Sequence, residues 1–295
     1  MNARLSDDAP EESPRRKPDA GGGRSQLERL AALFHAAPLA VLTGAGISTD
    51  SGIPDYRGEG TPPRTPMSIS QFMDDPAYRR RFWAGARVNA LHTGHVAPNS
   101  GHLALARFEA AGLTNGVITQ NVDNLHRRAG SRSVVELHGN GSAIRCTENG
   151  HRFTRDEVLG WFDRANPGFA ERNADAEIAP DGDARVTGTE TVTEPRCPAC
   201  GSILRPDVVY FGEFVPKPVF EAAEGLVAEA GGLLLIGTSL AVNTGIRLVH
   251  RAQLRRIPIA VINRGPTAVD ERESVTVRIE GGAAEVLEDL ERLLR

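Results

Sequence analysis

Four short apolar runs, each followed by glycine or a polar residue, constrain the fold of this chain most. They are Leu39–Thr43, Gly116–Thr119, Leu233–Ile236 and Pro258–Ile262. Such runs are typical of parallel strands that are buried on both faces. Helical patterns lie between them, notably Gly101–Ala111, Val219–Ala230 and Leu248–Arg255. The alternation predicts an α/β fold with a Rossmann-like, doubly wound parallel sheet.

The composition changes along the chain and predicts a division into domains. Residues 1–24 carry mixed charges, three prolines and a triple glycine, and we expect a disordered tail that ends at a helix cap, Ser25. Residues 25–137 and 207–295 carry the strand and helix patterns of the nucleotide-binding domain. Residues 138–206 are rich in glycine, proline, aspartate and threonine, and we interpret them as a small inserted module.

Charge and cysteine content exclude several classes of protein. A net charge of −4 gives no long-range attraction to polyanions, so we expect no direct nucleic-acid partner. The apolar runs are far shorter than the ~20 residues that cross a bilayer, and residues 1–25 lack an apolar signal segment. Three cysteines are too few for a disulfide framework, which favours reduced or metal-bound thiols and a cytoplasmic location. The sequence carries no signal for an oligomeric state.

A glycine loop, Gly44-Ala-Gly46, directly follows the first predicted strand. Glycines in this position let the backbone approach a pyrophosphate, and the next helix N-terminus offers free N–H groups. Thr49 stands where the dinucleotide fingerprint has a third glycine, so the loop alone is a weak signal. Two further turns, Gly237-Thr-Ser239 and Asn263-Arg-Gly265, follow other strands. Turns that end parallel strands share one edge of the sheet, so all three point to one ligand site.

Five ordered motifs then resemble those of the sirtuin (silent information regulator) family. They are 44–57 (GAGISTDSGIPDYR), 119–123 (TQNVD), 138–139 (HG), 205–213 (RPDVVYFGE), and 237–240 (GTSL) with Asn263. The resemblance extends from about Leu27 to Leu293. Thr49, Tyr56, the turn Ala179–Asp183 and the stretch Gly265–Thr267 are similar to the class II branch of that family.

The resemblance implies an NAD-dependent protein-lysine deacylase that transfers the acyl group to ADP-ribose and releases nicotinamide. Its partners would be acyl-lysine proteins, and its second module would be of the zinc-ribbon type. His138 would be the general base, and Asn121 would orient the ribose or a water. The residues implied to bind NAD are Gly44, Ala45, Gly46, Thr49, Asp55, Tyr56, Arg57, Gln120, Asn121, Asp123, Gly237, Thr238, Ser239, Asn263, Arg264, Gly265 and Ala283. Those implied to bind the substrate peptide are Val208, Val209, Phe211, Gly212 and Glu213.

Simpler interpretations exist for several of these residues. An isolated histidine such as His138 is more often structural. Asn121 and Asp123 could cap a helix, and Arg57 could be an ordinary surface arginine. The run Val208–Glu213 could be a core strand. The order of the five motifs favours the functional interpretations.

The zinc motif departs from the family pattern. Sirtuin modules have two Cys-x-x-Cys pairs, whereas this chain has Cys197, Cys200 and Cys146, with Asn149 where the fourth cysteine is expected. Tetrahedral zinc requires four ligands. Two alternatives stay open: either His151 completes a Cys₃His site for Zn²⁺, or the module folds without metal.

The acyl group is also open from the sequence. Family members that remove acidic acyl groups carry a Tyr-x-x-Arg clamp, and our alignment places Phe82 and Gly85 there. A literal Tyr78-x-x-Arg81 lies four residues upstream. Acetyl is therefore the default, with longer acyl groups possible.

Three other functions use the same NAD site. A mono-ADP-ribosyltransferase would pass ADP-ribose to a protein nucleophile. An inactive NAD sensor is disfavoured because His138, Asn121 and Asp123 are all present. A hydride-transferring dehydrogenase is disfavoured because the glycine loop departs from its fingerprint.

Overall fold

A computed structural model describes residues 22–55, 68–93, 96–176 and 184–295. The strands are β1 Leu39–Thr43, β2 Thr114–Thr119, β3 Val134–Glu136, β4 Gly139–Cys146, β5 Arg152–Thr154, β6 Leu204–Val208, β7 Gly232–Ile236, β8 Ile259–Asn263 and β9 Val275–Glu280. The helices are α1 Gly22–Ala36, α2 Ile69–Asp74, α3 Pro76–Thr93, α4 Ser100–Ala110, α5 Leu125–Arg128, α6 Arg155–Ala165, α7 Phe169–Arg172, α8 Lys217–Glu229, α9 Asn243–Leu254 and α10 Ala283–Leu294. Tyr56, Arg57 and the turn Ala179–Asp183 lie outside the described residues.

The large sheet has six parallel strands in the order β3-β2-β1-β7-β8-β9. Strand order therefore reverses between β1 and β7, which is the switch point where doubly wound sheets bind ligands. The predicted α/β, Rossmann-like fold is confirmed. The four predicted strands occur as β1, β2, β7 and β8, whereas the sequence analysis missed β3 and β9. Helix α1 begins three residues before the predicted cap at Ser25.

Helices cover both faces of this sheet, so its central strands β1, β7 and β8 are buried along their whole length. Helices α1, α4 and α10 pack on one face through residues such as Phe34, Phe108 and Leu287. Helices α8 and α9 pack on the other face through Phe220 and Leu248. The apolar runs that predicted the strands thus form two cores, one on each side of the sheet.

A second, three-stranded sheet has the order β5-β4-β6 and is antiparallel. Its core combines Ile144 of β4 and Phe162 of α6 with Trp83 of α3, a helix that precedes the predicted insert in sequence. A buried ion pair between Arg79 and Glu194, at 2.8 Å, joins α3 to the segment before β6. The small sheet and its covering helices therefore come from two separate stretches of chain.

Within the residues that the structure describes, every helix is either too short or too polar to cross a bilayer.

Candidate active site

The turns that follow β1 and β7 interlock at the switch point. The amide N–H of Gly44 donates to the carbonyl of Ile236 at 3.1 Å, and that of Gly46 donates to the carbonyl of Gly237 at 2.8 Å. A Cβ on Gly46 would lie 2.8 Å from Cα of Gly237. These glycines are therefore needed for contact between two loops. The sequence analysis had assigned them only to the approach of a pyrophosphate.

A cleft opens beside this contact and brings together residues from four loops. Its lining includes Gly46, Thr49, Asp55, Gly237, Asn263, Arg264, Gly281, Gly282 and Ala283. Seven of these were predicted to bind NAD from the resemblance, and the two glycines Gly281 and Gly282 were not. The structure thus brings the predicted residues of the glycine loop, the β7 turn, the β8 turn and α10 to one place.

The cleft suits the negative diphosphate of a dinucleotide. Ala283 is the first residue of α10, and its cap, Gly282, leaves the helix N-terminus without a side-chain acceptor. Free N–H groups at a helix N-terminus bind anions. A Cβ on Gly282 would lie 2.5 Å from a guanidinium nitrogen of Arg264, so this cation lies directly over the same turn. The residues present therefore fit NAD.

His138 lies between β3 and β4, where the chain passes from the large sheet to the small one. Its Nδ1 lies 2.9 Å from the carbonyl oxygen of Gln120, and its Nε2 lies 3.2 Å from Oγ1 of Thr244. A carbonyl only accepts, so Nδ1 carries the proton and Nε2 keeps its lone pair in the neutral ring. Burial lowers the pKa of His138 below its ordinary value, against the opposing effect of the Gln120 carbonyl. The imidazole is therefore available as a base at neutral pH.

The polar residues after β2 form one hydrogen-bonded group with Ser48 of the glycine loop. Oγ of the buried Ser48 donates to Oδ2 of Asp123 at 2.7 Å and accepts from Nδ2 of Asn121 at 3.1 Å. Asn121 also donates to the carbonyl of Gly44 at 3.1 Å. Asp123 also accepts from the backbone N–H of Leu125 at 2.9 Å, so it binds the first residue of α5 from just outside the cap, Asn124, and remains at the site. Ser48 belongs to the motif 44–57, but the sequence analysis assigned it no role.

Two buried histidines lie beneath this group, and the sequence analysis missed both. Nε2 of His102 lies 3.5 Å from Oγ of Ser48, and the rings of His102 and His126 are 4.9 Å apart. Nε2 of His126 contacts Oγ1 of Thr43 at 2.9 Å. Burial lowers the pKa of His102 to about 4 and that of His126 to about 3, so both rings are neutral. Their pairing joins α4 to α5 and leaves no pattern in the sequence.

The predicted peptide-binding segment is an edge among the described residues. Strand β6 pairs only with β4; beyond it the N–H of Val209 donates to the carbonyl of His138 at 2.9 Å, and the carbonyl of Phe211 accepts from the N–H of Ile69 at 3.0 Å. Phe211 is 56% exposed, so this side chain is not part of a core. The carboxylate of Glu213, in contrast, binds Arg205 at 2.5 and 2.7 Å and is used inside the protein.

Three cysteines and one histidine converge in the small module. The ligand atoms of Cys146, His151, Cys197 and Cys200 all lie within 4.8 Å of one another. Sγ of Cys146 is 3.9 Å from Sγ of Cys200, and Nδ1 of His151 is 3.4–3.8 Å from the three sulfurs. A zinc tetrahedron with ~2.3 Å Zn–S bonds has edges of about 3.8 Å, so these distances match a Cys₃His site. The geometry supports the zinc alternative over a metal-free module.

The environment favours the thiolate that zinc requires at two of the three cysteines, whereas burial raises the pKa of the third, Cys197. Hydrogen bonds, of which the one from Ser202 is the largest cause, lower the pKa of Cys200 to about 5 and that of Cys146 to about 7. The backbone N–H of Asn149 donates to Sγ of Cys146 at 3.3 Å. Asn149 thus supports a sulfur from the position where a fourth cysteine was expected.

Fold and site together define a class: a Rossmann-like protein with a dinucleotide cleft, a neutral histidine bound to the segment after β2, and a small module with a Cys₃His cluster. A family model described as the Sir2 family matches residues 44–244, and the chain belongs to that family.

Similar proteins agree with this membership. The chain is 47% identical over 268 residues to NAD-dependent protein deacetylase 1 of Mycobacterium avium, covering 90% of this chain and 94% of the relative. It is 37% identical to NAD-dependent protein deacylase Sirt4 of Drosophila melanogaster, with 91% and 87% covered. A solved structure described as "Sir2-p53 peptide-NAD+" superposes with a TM-score of 0.70 at 29% identity, covering 90% of this chain and 98% of the other.

Proposed function

We propose that this chain is an NAD-dependent protein-lysine deacylase, with deacetylation as its default activity. One observation carries the proposal. His138 presents an unprotonated Nε2, and its main-chain carbonyl accepts from the N–H of Val209 in the predicted peptide segment. Its partner Gln120 accepts in turn from Thr238, the neighbour of the cleft residue Gly237. A base in that position can act on a ribose held in the cleft while a peptide binds alongside. Relatives named as deacetylases, and a neighbour solved with peptide and NAD, support the same assignment.

His138, Asp123 and Asn121 have different roles in the proposed reaction. Bound NAD supplies a ribose carbon with nicotinamide as its leaving group. His138 accepts a ribose hydroxyl proton at Nε2, while Nδ1 remains hydrogen-bonded to the Gln120 carbonyl. A positioned general base contributes about 10²–10⁴-fold. Asp123, held by Ser48, offers a carboxylate to the nicotinamide amide, and Asn121 orients the ribose or a water.

The substrate is an acyl-lysine in an extended peptide. The segment 208–212 continues β6, an outer strand of the small sheet, and such a peptide can add as a strand where the contacts with His138 and Ser68 leave its backbone open. Phe82 packs edge-on against Phe72 and Trp83, and Gly85 is buried. Neither position offers a cation for an acidic acyl group, which supports a small neutral acyl group such as acetyl. The resemblance to the class II branch leaves longer acyl groups within the proposal.

The wider assignments of the sequence analysis also remain proposals. The large sheet and the small sheet have separate cores, which supports two domains, with α2 and α3 added to the small one. Zinc in the Cys₃His cluster is part of the proposal. Three free cysteines support a reducing, cytoplasmic location.

A panel of acyl-lysine peptides tests the function. The protein is incubated with NAD and peptides that carry acetyl, succinyl or longer acyl groups, and the products are read by mass spectrometry. We expect unmodified lysine peptide, nicotinamide and acylated ADP-ribose in equal amounts, with acetyl favoured over succinyl. Label from NAD that stays on protein, without acylated ADP-ribose, would instead indicate ADP-ribosyl transfer, which the names of the relatives do not favour. Omitting NAD is the control.

A further inference from the structure

Both ring nitrogens of His138 have a partner in this protein, and only one of the two partners follows from the motifs. Nδ1 is held by the Gln120 carbonyl, the backbone of a motif residue. Nε2, the nitrogen that has to act, faces the hydroxyl of Thr244 at 3.2 Å. Thr244 lies outside every motif that the sequence analysis singled out.

The position of Thr244 is fixed by the helix that carries it. It is the second residue of α9, and the cap of this helix, Val242, has no side-chain hydrogen bond. A Cβ on the next residue, Gly245, would lie 3.2 Å from Nε2 of Gln120. The Gln120 amide in turn accepts from Oγ1 of Thr238 at 2.8 Å. The β7 turn, the start of α9 and the segment after β2 are therefore packed together around the imidazole.

We propose that Thr244 is a positioning residue for His138: its hydroxyl donates to Nε2 and presets the direction of that lone pair before NAD binds. An sp² nitrogen has a single lone pair in the ring plane, so the ribose hydroxyl has to replace the Thr244 hydroxyl on Nε2, from the same side, while Thr244 turns its own O–H away from the ring. The ring therefore already has the required orientation when the ribose arrives and does not need to rotate. This inference rests on the proposed function, because it assigns a role within that reaction.

Thr244 variants change the hydroxyl without changing the charged groups around the ring. The elements around His138 carry several charged groups, among them Glu136 of β3, Asp123 after β2, Asp207 of β6 and Arg247 of α9. All four remain in every Thr244 variant. Burial is the largest cause of the lowered pKa of His138, and Thr244→Val changes that burial little.

Thr244→Val removes the hydroxyl at similar shape, and Thr244→Ser keeps it. We expect kcat to fall about two- to tenfold in Thr244→Val, the effect of one neutral hydrogen bond, with KM for NAD and for peptide unchanged. Thr244→Ser should retain the wild-type kcat. Thr276→Val, on the far strand β9, is the matched control and should change nothing. Thr244→Ala replaces Thr244→Val if the latter does not fold.

A measurement on the free protein separates this inference from the proposed function. The ¹⁵N resonance of Nε2 of His138, assigned by its loss in His138→Gln, should move toward the value of an unbonded imidazole in Thr244→Val but not in Thr244→Ser. A wild-type protein that does not deacylate any peptide would refute the proposed function, while this resonance would still report the contact. A wild-type kcat in Thr244→Val, a rise in KM for NAD alone, or an unmoved resonance would each overturn the role of Thr244.

Discussion

The carboxyl edge of the large sheet and the metal-type cluster of the small module are positioned by different forces. At the sheet edge, buried strands such as β1 and β7 fix the turns, and backbone hydrogen bonds hold one turn against the other. In the small module, strands of eight, three and five residues leave less apolar surface to bury, and four side chains converge instead. The comparison teaches that backbone packing alone can position the cleft of the large sheet, whereas the small module combines a core of its own with a side-chain cluster that suits a metal.

Of the changes that test this difference, removal of a metal ligand should have the largest effect. Structural zinc contributes ~10–16 kcal/mol in small zinc modules, so His151→Ala should lose the metal and unfold the small sheet. We expect about one equivalent of zinc in the wild type by metal analysis. NAD binding to the large sheet, measured by titration, should persist because that sheet has its own cores.

Asn149→Ala is the matched control, since it changes the position where the family has cysteine. It should keep the zinc. The Cys₃His assignment is wrong if Asn149→Ala loses the metal and His151→Ala retains it. Less than about a tenth of an equivalent in the wild type would favour a module that folds without metal.

His138→Ala tests the junction of the two regions. Loss of the base should lower kcat by ~10²–10⁴-fold, while NAD binding and the unfolding midpoint stay close to those of the wild type. His35→Ala, an exposed histidine on α1, is the control. Near-normal deacylation by His138→Ala would refute the role of the imidazole.

Acid should destabilise the sheet edge through the buried histidine pair. The pKa values of His102 and His126 are about 4 and about 3 in the folded protein, against an ordinary value near 6.5. As pH falls below about 6.5 the unfolded chain binds protons first, so stability is lost until the folded values are reached. We expect a loss of roughly 2 kcal/mol per histidine between about pH 6.5 and pH 5, measured by urea unfolding. His126→Asn should show a smaller loss than His35→Asn; equal losses would contradict the assignment.

Contact between the two glycine turns gives the smallest expected effect. Gly46→Ala places Cβ against the backbone of Gly237 and should destabilise the protein by ~1–3 kcal/mol, with weaker NAD binding. Gly225→Ala, in α8 with open space around it, should instead stabilise by ~0.5–1 kcal/mol. Thermal unfolding of both variants checks the prediction, and the same sign for both would mean that the close contact is not the reason for Gly46.

Sequence reasoning succeeded where burial leaves a continuous pattern. The strands β1, β2, β7 and β8 were predicted because central parallel strands are apolar along their length. Strand β3 has three residues, and β9 alternates buried and exposed side chains at the edge of the sheet, so neither formed an apolar run. The convergence of Cys146, His151, Cys197 and Cys200 was one of two alternatives from spacing, and the structure brings the four together.

The residues that support the site could not be predicted from such patterns. Ser48, His102 and Thr244 act through contacts between segments 54 to 106 residues apart, and no local pattern reports such contacts. Similarly, the motif identified Gly46 but gave an incomplete reason for it. The space that its missing Cβ would fill is occupied by another loop.

The chain leaves the large sheet and enters the small one at residues 137–139, and His138 is the middle residue of that crossing. Its imidazole is bound by Gln120 after β2 and by Thr244 of α9, whereas its main-chain carbonyl accepts from the N–H of Val209, which follows β6 of the small sheet. One residue is thus attached to the large sheet through its side chain and to the small sheet through its main chain, so a substitution that shifts the backbone at the crossing would disturb both attachments together.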